Sequence, residues 1–337
     1  MDPLTQGMLG VVAAQSFAKP KVLLTASLLG LLSGMAPDID IIIRSTTDPL
    51  LALEFHRQFT HSLFFIPFGG FICALVFSIV FRPLIRRAEL SFLQTLLYCT
   101  LGYASHGLLD ACTTYGTQLL WPFSNARVAW NTISIIDPLY TLPLLLFIIL
   151  TVVYRSRRLA MASLAWIVIY TSVGIVQRER AEAFGLQLAL DRGHQPISLE
   201  AKPSFANLLV WKIVYTTESH FYVDAIRAGW QAKYYQGDSV RKLNVGQDFP
   251  WLDAESQQAK DIERFRWFSN GYIAISPYHP QRIIDIRFSL LPNEIRGLWG
   301  IELDQSLGKQ AHIHYVADRS REGNTFTQLW KMIVGAE

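Results

Sequence analysis

The chain has 337 residues, 51% of them hydrophobic and only 17% charged, with a mean hydropathy of +0.24 and a formal net charge of +3. That composition is too apolar for an ordinary soluble enzyme of this length, and so small a charge with no basic stripe gives nucleic acid nothing to bind. The apolar excess is uneven: residues 1–176 carry 11 basic and 8 acidic residues, whereas residues 177–337 carry 19 of each. The division predicts a membrane domain over 1–176 followed by a soluble domain over 177–337.

In chain order, residues 3–18 and 22–37 are apolar runs of 16 residues each, joined by Lys19, Pro20 and Lys21. They fall short of the ~20 residues that cross a bilayer as helix, and are read as spans with local thinning, the alternative being a shallow hairpin. Asp2 and Pro3 stand where a cleaved signal peptide would carry basic residues, so an uncleaved anchor is expected. Runs of 20 residues follow at 62–81 and 90–109, then 17 at 138–154 and 19 at 159–177. The fold class expected is an α-helical polytopic membrane domain of about six apolar segments, followed by a soluble α+β domain. In that second domain, 178–190 continues the last span as a helix ended near Gly193 and Pro196. Strands are predicted at 208–215, 220–226, 232–235, 272–275, 283–288, 298–303 and 313–316, from β-branched and aromatic enrichment. Helices are predicted at 251–268 and 326–334. Cys73, Cys99 and Cys112 form no CxxC pair, so neither a disulfide framework nor a cysteine zinc site is indicated.

The basic residues of the first half cluster in alternate connections: Lys19 and Lys21; Arg82, Arg86 and Arg87; Arg155, Arg157 and Arg158. Placing these in the cytoplasm puts Asp2, Asp38, Asp40, Asp48, Glu54, Asp110 and Asp137 on the other face, with the C-terminal domain extracytoplasmic. The potential metal ligands gather on that same face. His106 and Asp110 share one side of a helix at i, i+4 spacing, near the end of an apolar run where an ionisable group is costly. Asp38 and Asp40 close another run. His56 and His61 precede a third, with Arg57 placed to neutralise carboxylates or grip a phosphate, and Thr60 and Ser62 placed to orient His61 or cap the next helix. Gly107 allows a neighbouring segment to approach closely. Three histidines and three carboxylates, Asp38, Asp40, His56, His61, His106 and Asp110, suit one or two divalent ions, zinc first and manganese second. Weaker patterns are Tyr115-Gly116, the interfacial aromatics Trp121 and Phe123, Asp137 as helix cap or outer ligand, and His312 with His314 on one strand face.

The opening Met1-Asp2-Pro3-Leu4-Thr5-Gln6, together with Pro37-Asp38-Ile39-Asp40, His56-Arg57, Thr60-His61-Ser62 and His106 with Asp110, resembles the YdjM-like inner-membrane proteins over roughly residues 1–180. The resemblance implies a bacterial inner-membrane, metal-dependent hydrolase. Kinship with zinc-dependent phospholipase C-like proteins implies a phosphoester or lipid-linked substrate. Members often open with Thr-His where this chain has Thr5-Gln6, so a family ligand is replaced by a poor one. Three functions are therefore open: a membrane-bound hydrolase with Arg57 stabilising anionic charge at the catalytic centre; a non-enzymatic membrane protein with a structural metal and a partner-binding outer domain; and an ion or metal transporter. The first is favoured; against the third, the ligands lie at one face and no charged residue lies near the middle of any run.

Overall fold

A computed structural model describes residues 1–318 and 323–336. The chain forms two compact units, one of Met1–Ile43 with Phe55–Gly174 and one of Arg44–Glu54 with Ile175–Glu337.

The first unit is helical. Helix α1 (Pro3–Phe17) begins where Asp2 caps the Thr5 amide, with proline at its first turn. This is the position where a fixed φ and a missing N–H cost nothing. Helix α2 (Leu23–Met35) packs directly on it: a Cβ added to Gly30 would lie 2.3 Å from the Gly10 carbonyl oxygen, so the two backbones touch. A 3-10 turn, Ala36–Ile42, carries the chain off α2. After the short helix α3 (Leu51–Phe55), of which all but Phe55 belongs to the second unit, a 3-10 turn at Phe59–His61 leads into α4 (Ile66–Val80) and α5 (Arg82–Arg87). Helix α6 (Phe92–Ala111) opens with a capping box of Ser91 and Gln94. It packs against α1, α2 and α4 and so forms the centre of the unit. Helix α7 (Pro138–Tyr154) is capped by Asp137, and α8 (Arg157–Asp191) is one 35-residue helix.

Among the described residues, three helical stretches are long and apolar enough to cross a membrane: Pro20–Ile42, Leu63–Val80 and Arg157–Asp191. Helix α4 leaves Phe68, Phe71, Ile72, Leu75, Val76 and Ile79 exposed, an apolar face that lipid would cover. Helices α1 and α7 have 15 and 17 residues, respectively. Helix α6 has the length but carries Gln94, Thr95, Ser105, His106 and Asp110.

The second unit is rich in strand. Strands β1 (Ser198–Pro203), β2 (Val210–Thr216), β3 (His220–Ala228) and β4 (Ala232–Tyr235) pair in sequence order, and β5 (Ser239–Arg241) also pairs with β3. After a single turn α9 (Val245–Asp248) and helix α10 (Gln257–Phe268), strands β6 (Ile273–Ser276), β7 (His279–Asp285), β8 (Trp299–Glu302) and β9 (His314–Ala317) form a second antiparallel sheet, followed by helix α11 (Thr325–Val334). The expected α+β character holds in two sheets. β1 and β5 escaped the sequence reading: β1 ends in proline and has no β-branched residue, and it is a strand because fully buried β2 needs a partner on that edge. The helix expected from 251 starts at Gln257, since the Ser256 hydroxyl accepts from the Ala259 amide and fixes the boundary. Residues 44–54 belong to this unit through Arg264, which pairs with Asp48 at 2.8 Å, Glu54 at 2.6 Å and Asp261 at 2.9 Å. Lys212 and Lys202 face each other across β1 and β2, both buried. Burial pushes the Lys212 ammonium down to about 7, although it donates to Ser289 Oγ and the Glu294 carbonyl, each at 2.8 Å.

Candidate metal centre

Four side chains from three segments of the first unit meet at one point. The turn after α2 supplies Asp38, the turn before α4 supplies His61, and α6 supplies His106 and Asp110. Gly107 allows the junction: a Cβ there would lie 2.2 Å from the His61 carbonyl oxygen, so only glycine admits the ligand-bearing turn against α6.

The hydrogen bonds fix what each ring presents. His106 Nδ1 lies 2.6 Å from the Gly34 carbonyl oxygen. A carbonyl only accepts, so Nδ1 carries the proton and Nε2 of the neutral ring is a bare lone pair. The Thr60 hydroxyl donates to Asp40 Oδ2 at 2.9 Å, and its oxygen therefore accepts from His61 Nδ1, 2.9 Å away. Asp40 Oδ2 also lies 3.2 Å from that nitrogen. In the neutral ring, the form that binds a metal, His61 Nε2 is then bare as well. A buried imidazole that donates one N–H to a carbonyl or carboxylate and points the other nitrogen at a common centre is the arrangement of metal-bound histidine.

At the centre, His61 Nε2 lies 3.5 Å from Asp38 Oδ1 and 3.3 Å from Asp110 Oδ2. His106 Nε2 lies 3.3 Å and 3.7 Å from the same two oxygens. A tetrahedral ion with ligand distances of 2.0–2.1 Å has ligand–ligand edges of roughly 3.3–3.4 Å. His61 Nε2, His106 Nε2 and Asp110 Oδ2 are buried and make no hydrogen bond. Lone pairs without a proton between them repel, and a divalent cation removes that cost while leaving two neutral imidazoles, two carboxylates and the ion with no net charge. The donor set therefore fits a divalent ion.

Around this point lie the supporting groups. Asp110 Oδ1 accepts from Gln6 Nε2 at 2.7 Å and from the Met1 amino group. Gln6, expected from the sequence to be a poor substitute for a metal-binding histidine, thus reaches the cluster and orients Asp110. Asp40 accepts from His56 Nδ1 at 2.8 Å and from the Arg57 backbone amide at 3.0 Å, besides Thr60. Arg57, buried in a left-handed backbone conformation at φ 65°, places Nε 2.9 Å from Asp110 Oδ2 and donates through Nη1 to Thr113 Oγ1 at 3.0 Å. A second grouping of Asp38, Asp40 and His56 is close enough for an ion, but both Asp40 oxygens already accept hydrogen bonds there. Asp38, a quarter exposed, and His56 and Arg57 open onto a cavity of about 610 Å³ lined also by Leu32, Met35, Ile39 and Ile41.

The structure thus gathers all six expected ligand residues and Arg57 at one place. Several groups escaped the sequence reading: the Gly34 carbonyl, Thr113, Arg127, and Tyr103, whose hydroxyl donates to the Thr60 carbonyl at 2.8 Å. A backbone carbonyl leaves no trace in residue type, and the others are polar residues with no tell-tale spacing. Asp137 is a helix cap, accepting from the Leu139 amide at 3.1 Å and the Tyr170 hydroxyl at 2.7 Å. His312 lies ahead of β9 and contacts Asp261 Oδ2 at 2.8 Å, so it does not share a strand face with His314.

Fold and site together define a helical membrane protein with a buried two-histidine, two-carboxylate cluster suited to a metal ion. The chain belongs to the YdjM inner membrane protein family, whose model matches residues 1–181, and it is an integral inner-membrane protein. It is 26% identical to the uncharacterized protein YfhP of Bacillus subtilis (strain 168), over 78% of this chain and 77% of that one. It is 30% identical to the inner membrane protein YbcI of Escherichia coli (strain K12), over 32% of this chain and 60% of that one. No solved structure matches.

Proposed function

We propose that this protein is a membrane-bound, metal-dependent hydrolase of a phosphoester, with a lipid or lipid-linked molecule as substrate. The observation that carries the reading is the set of four convergent ligand atoms, three of them buried without a hydrogen bond and the fourth, on Asp38, bordering an apolar-lined cavity. Asp38, His61, His106 and Asp110 would hold the ion, zinc or manganese, and Asp40 and His56 would hold His61 and the Asp38 side of the site, with room for a second ion only if Asp40 gave up its present partners. A bound divalent ion supplies Lewis acidity toward a phosphoryl oxygen and acidifies water. Arg57 lines the cavity beside Asp38 and offers guanidinium N–H groups to a phosphate. Leu32, Met35, Ile39 and Ile41 give an acyl or similar chain apolar surface next to it. The alternating basic connections support six spans, ligands at the extracytoplasmic face, and an extracytoplasmic C-terminal unit over about 177–337.

One observation favours a second reading. His61, His106 and Asp110 are at most 2% exposed, and four protein ligands around a tetrahedral ion make a closed, structural site. Catalysis requires an ion that takes further ligands on the Asp38 side. The test is metal analysis of the purified protein with hydrolysis of a phosphodiester and of phospholipid vesicles. Bound zinc or manganese that disappears in His106→Ala, together with turnover that disappears in a folded Asp38→Asn, supports the hydrolase. Bound metal without turnover, and unfolding on metal removal, supports the staple. Metal at background in the wild-type protein, unchanged by His106→Ala, removes both.

A further inference from the structure

Two buried arginines share the ring of Tyr115. The guanidinium carbon of Arg57 is 4.7 Å from the ring centroid and that of Arg127 is 5.4 Å from it. The arginines are only 5% and 6% exposed, although Tyr115 and Arg127 lie on the loop between α6 and α7. That loop is fixed on itself and on the site. Thr117 and Val128 exchange two backbone hydrogen bonds, of 2.9 and 2.8 Å, and the Gln118 amide donates to the Arg57 carbonyl at 3.0 Å. Arg127 Nη2 donates to the Gly116 carbonyl at 2.9 Å. Gly116 has φ +91°, and a Cβ there would lie 3.1 Å from that of Arg127. The backbone at Gly116 is therefore shaped to seat Arg127.

Burying two like charges on one ring is unfavourable unless something of opposite sign is close. Arg57 has Asp110 beside its Nε and Thr113 on its Nη1, and among the described residues its Nη2 makes no hydrogen bond, while the residue lines the cavity beside Asp38. A divalent ion held beside Arg57 would add to the positive field on the cavity side, and such a field concentrates anions.

We propose that Arg127 is a positioning residue for anion recognition: through the Tyr115 ring it holds the Arg57 guanidinium at the metal centre, with Nη2 presented to an oxygen of a phosphate group. The proposal rests on the reading of the site as a phosphoester centre and names the part of the substrate that the protein grips. A guanidinium held against a ring keeps its planar fork in one orientation, which directs its N–H donors at an oxyanion.

The experiment uses the full-length, manganese-loaded protein in detergent, titrated with inorganic phosphate by calorimetry, with metal content measured on each sample. Arg127→Ala and Tyr115→Leu each weaken phosphate binding roughly 3- to 30-fold, the range that corresponds to a desolvated cation–π contact, with metal content unchanged. Tyr115→Phe keeps the ring and stays within about 2-fold of wild type. The Tyr115→Leu, Arg127→Ala double variant is no weaker than the worse single one, because both act along one path. Unchanged affinity in Arg127→Ala overturns the proposal, as does loss in Tyr115→Phe equal to that in Tyr115→Leu. If Arg127→Ala does not fold, the two Tyr115 variants decide. A metal-loaded wild type indifferent to phosphate removes this proposal alone, whereas a wild type that takes up no metal removes the metal reading beneath it.

Discussion

Asp40→Asn separates a metal ligand from a residue that holds one. Asp40 is 2% exposed and accepts from three donors, His56 Nδ1, the Arg57 amide and the Thr60 hydroxyl, with His61 Nδ1 3.2 Å away. Asparagine has the same shape but must turn an NH₂ toward at least one of these donors. If its oxygen keeps the Arg57 and Thr60 bonds, the amide nitrogen faces His56. If it is flipped, two donors meet a donor. Either way His61 loses a charged group beside Nδ1 and with it basicity at Nε2. Loss of such an outer partner costs 10- to 100-fold in metal affinity, about 1.4–2.7 kcal/mol. The measurement is competition for zinc against a chromophoric chelator, in detergent, with His106→Ala as the comparison for loss of a direct ligand. Asp40→Asn should bind metal measurably and more weakly than wild type, and His106→Ala should bind none. If the two variants are equally deficient, Asp40 is itself a ligand. An affinity within 2-fold of wild type would show that the carboxylate does nothing for His61.

Further outcomes follow from other parts of the structure. Gly107→Ala drives a Cβ to 2.2 Å from a backbone oxygen, so the His61 turn must move. About 1–3 kcal/mol of stability and most of the metal affinity should be lost, read by thermal denaturation with and without added zinc. Arg264→Ala leaves Asp48, Glu54 and buried Asp261 without their shared cation. The expected cost is roughly 1–3 kcal/mol, as the partners are partly exposed, and residues 44–54 should become the first site of limited proteolysis; protection equal to wild type would show that the ion pairs are dispensable. The depressed Lys212 pKa, caused by burial, favours the neutral amine in the folded state. The unfolded chain then binds the extra proton between about 7 and the ordinary lysine value of about 10.4, so stability contributed by this position rises with pH across that window. Lys212→Met should flatten the rise in a comparison of unfolding at pH 7 and pH 9.5, and an unaltered pH difference would refute the assignment.

How much of this was legible beforehand differs from element to element. Spans with long apolar runs declared themselves, and so did strands such as β3 and β4, where aromatic and β-branched residues fill a pleated, half-buried surface. β1 did not, because Ser198–Pro203 becomes a strand only through the partner it pairs with. The six ligand-type residues were visible because His and Asp beside apolar runs need a reason to be there. Their division of labour was not visible. Asp38 and Asp40 are two residues apart in one turn, yet one oxygen of Asp38 faces the common centre while Asp40 turns toward the two imidazole N–H groups of His56 and His61.

Sequence by itself determined the chemistry at hand: three histidines and three carboxylates, a cationic Arg57, and apolar segments that carry them in a membrane. These are properties of residue type and of local hydrophobic run, which need no long-range contact. Tertiary structure alone decided which atoms converge. The tautomer of His106 is set by a carbonyl 72 residues away in the chain, Asp110 is oriented by Gln6 from α1, and the Arg57 guanidinium is stacked on a ring that belongs to a different loop. Each of these is a hydrogen bond or packing contact between distant segments, formed when close helix packing at Gly30 and Gly107 brings their backbones into touch.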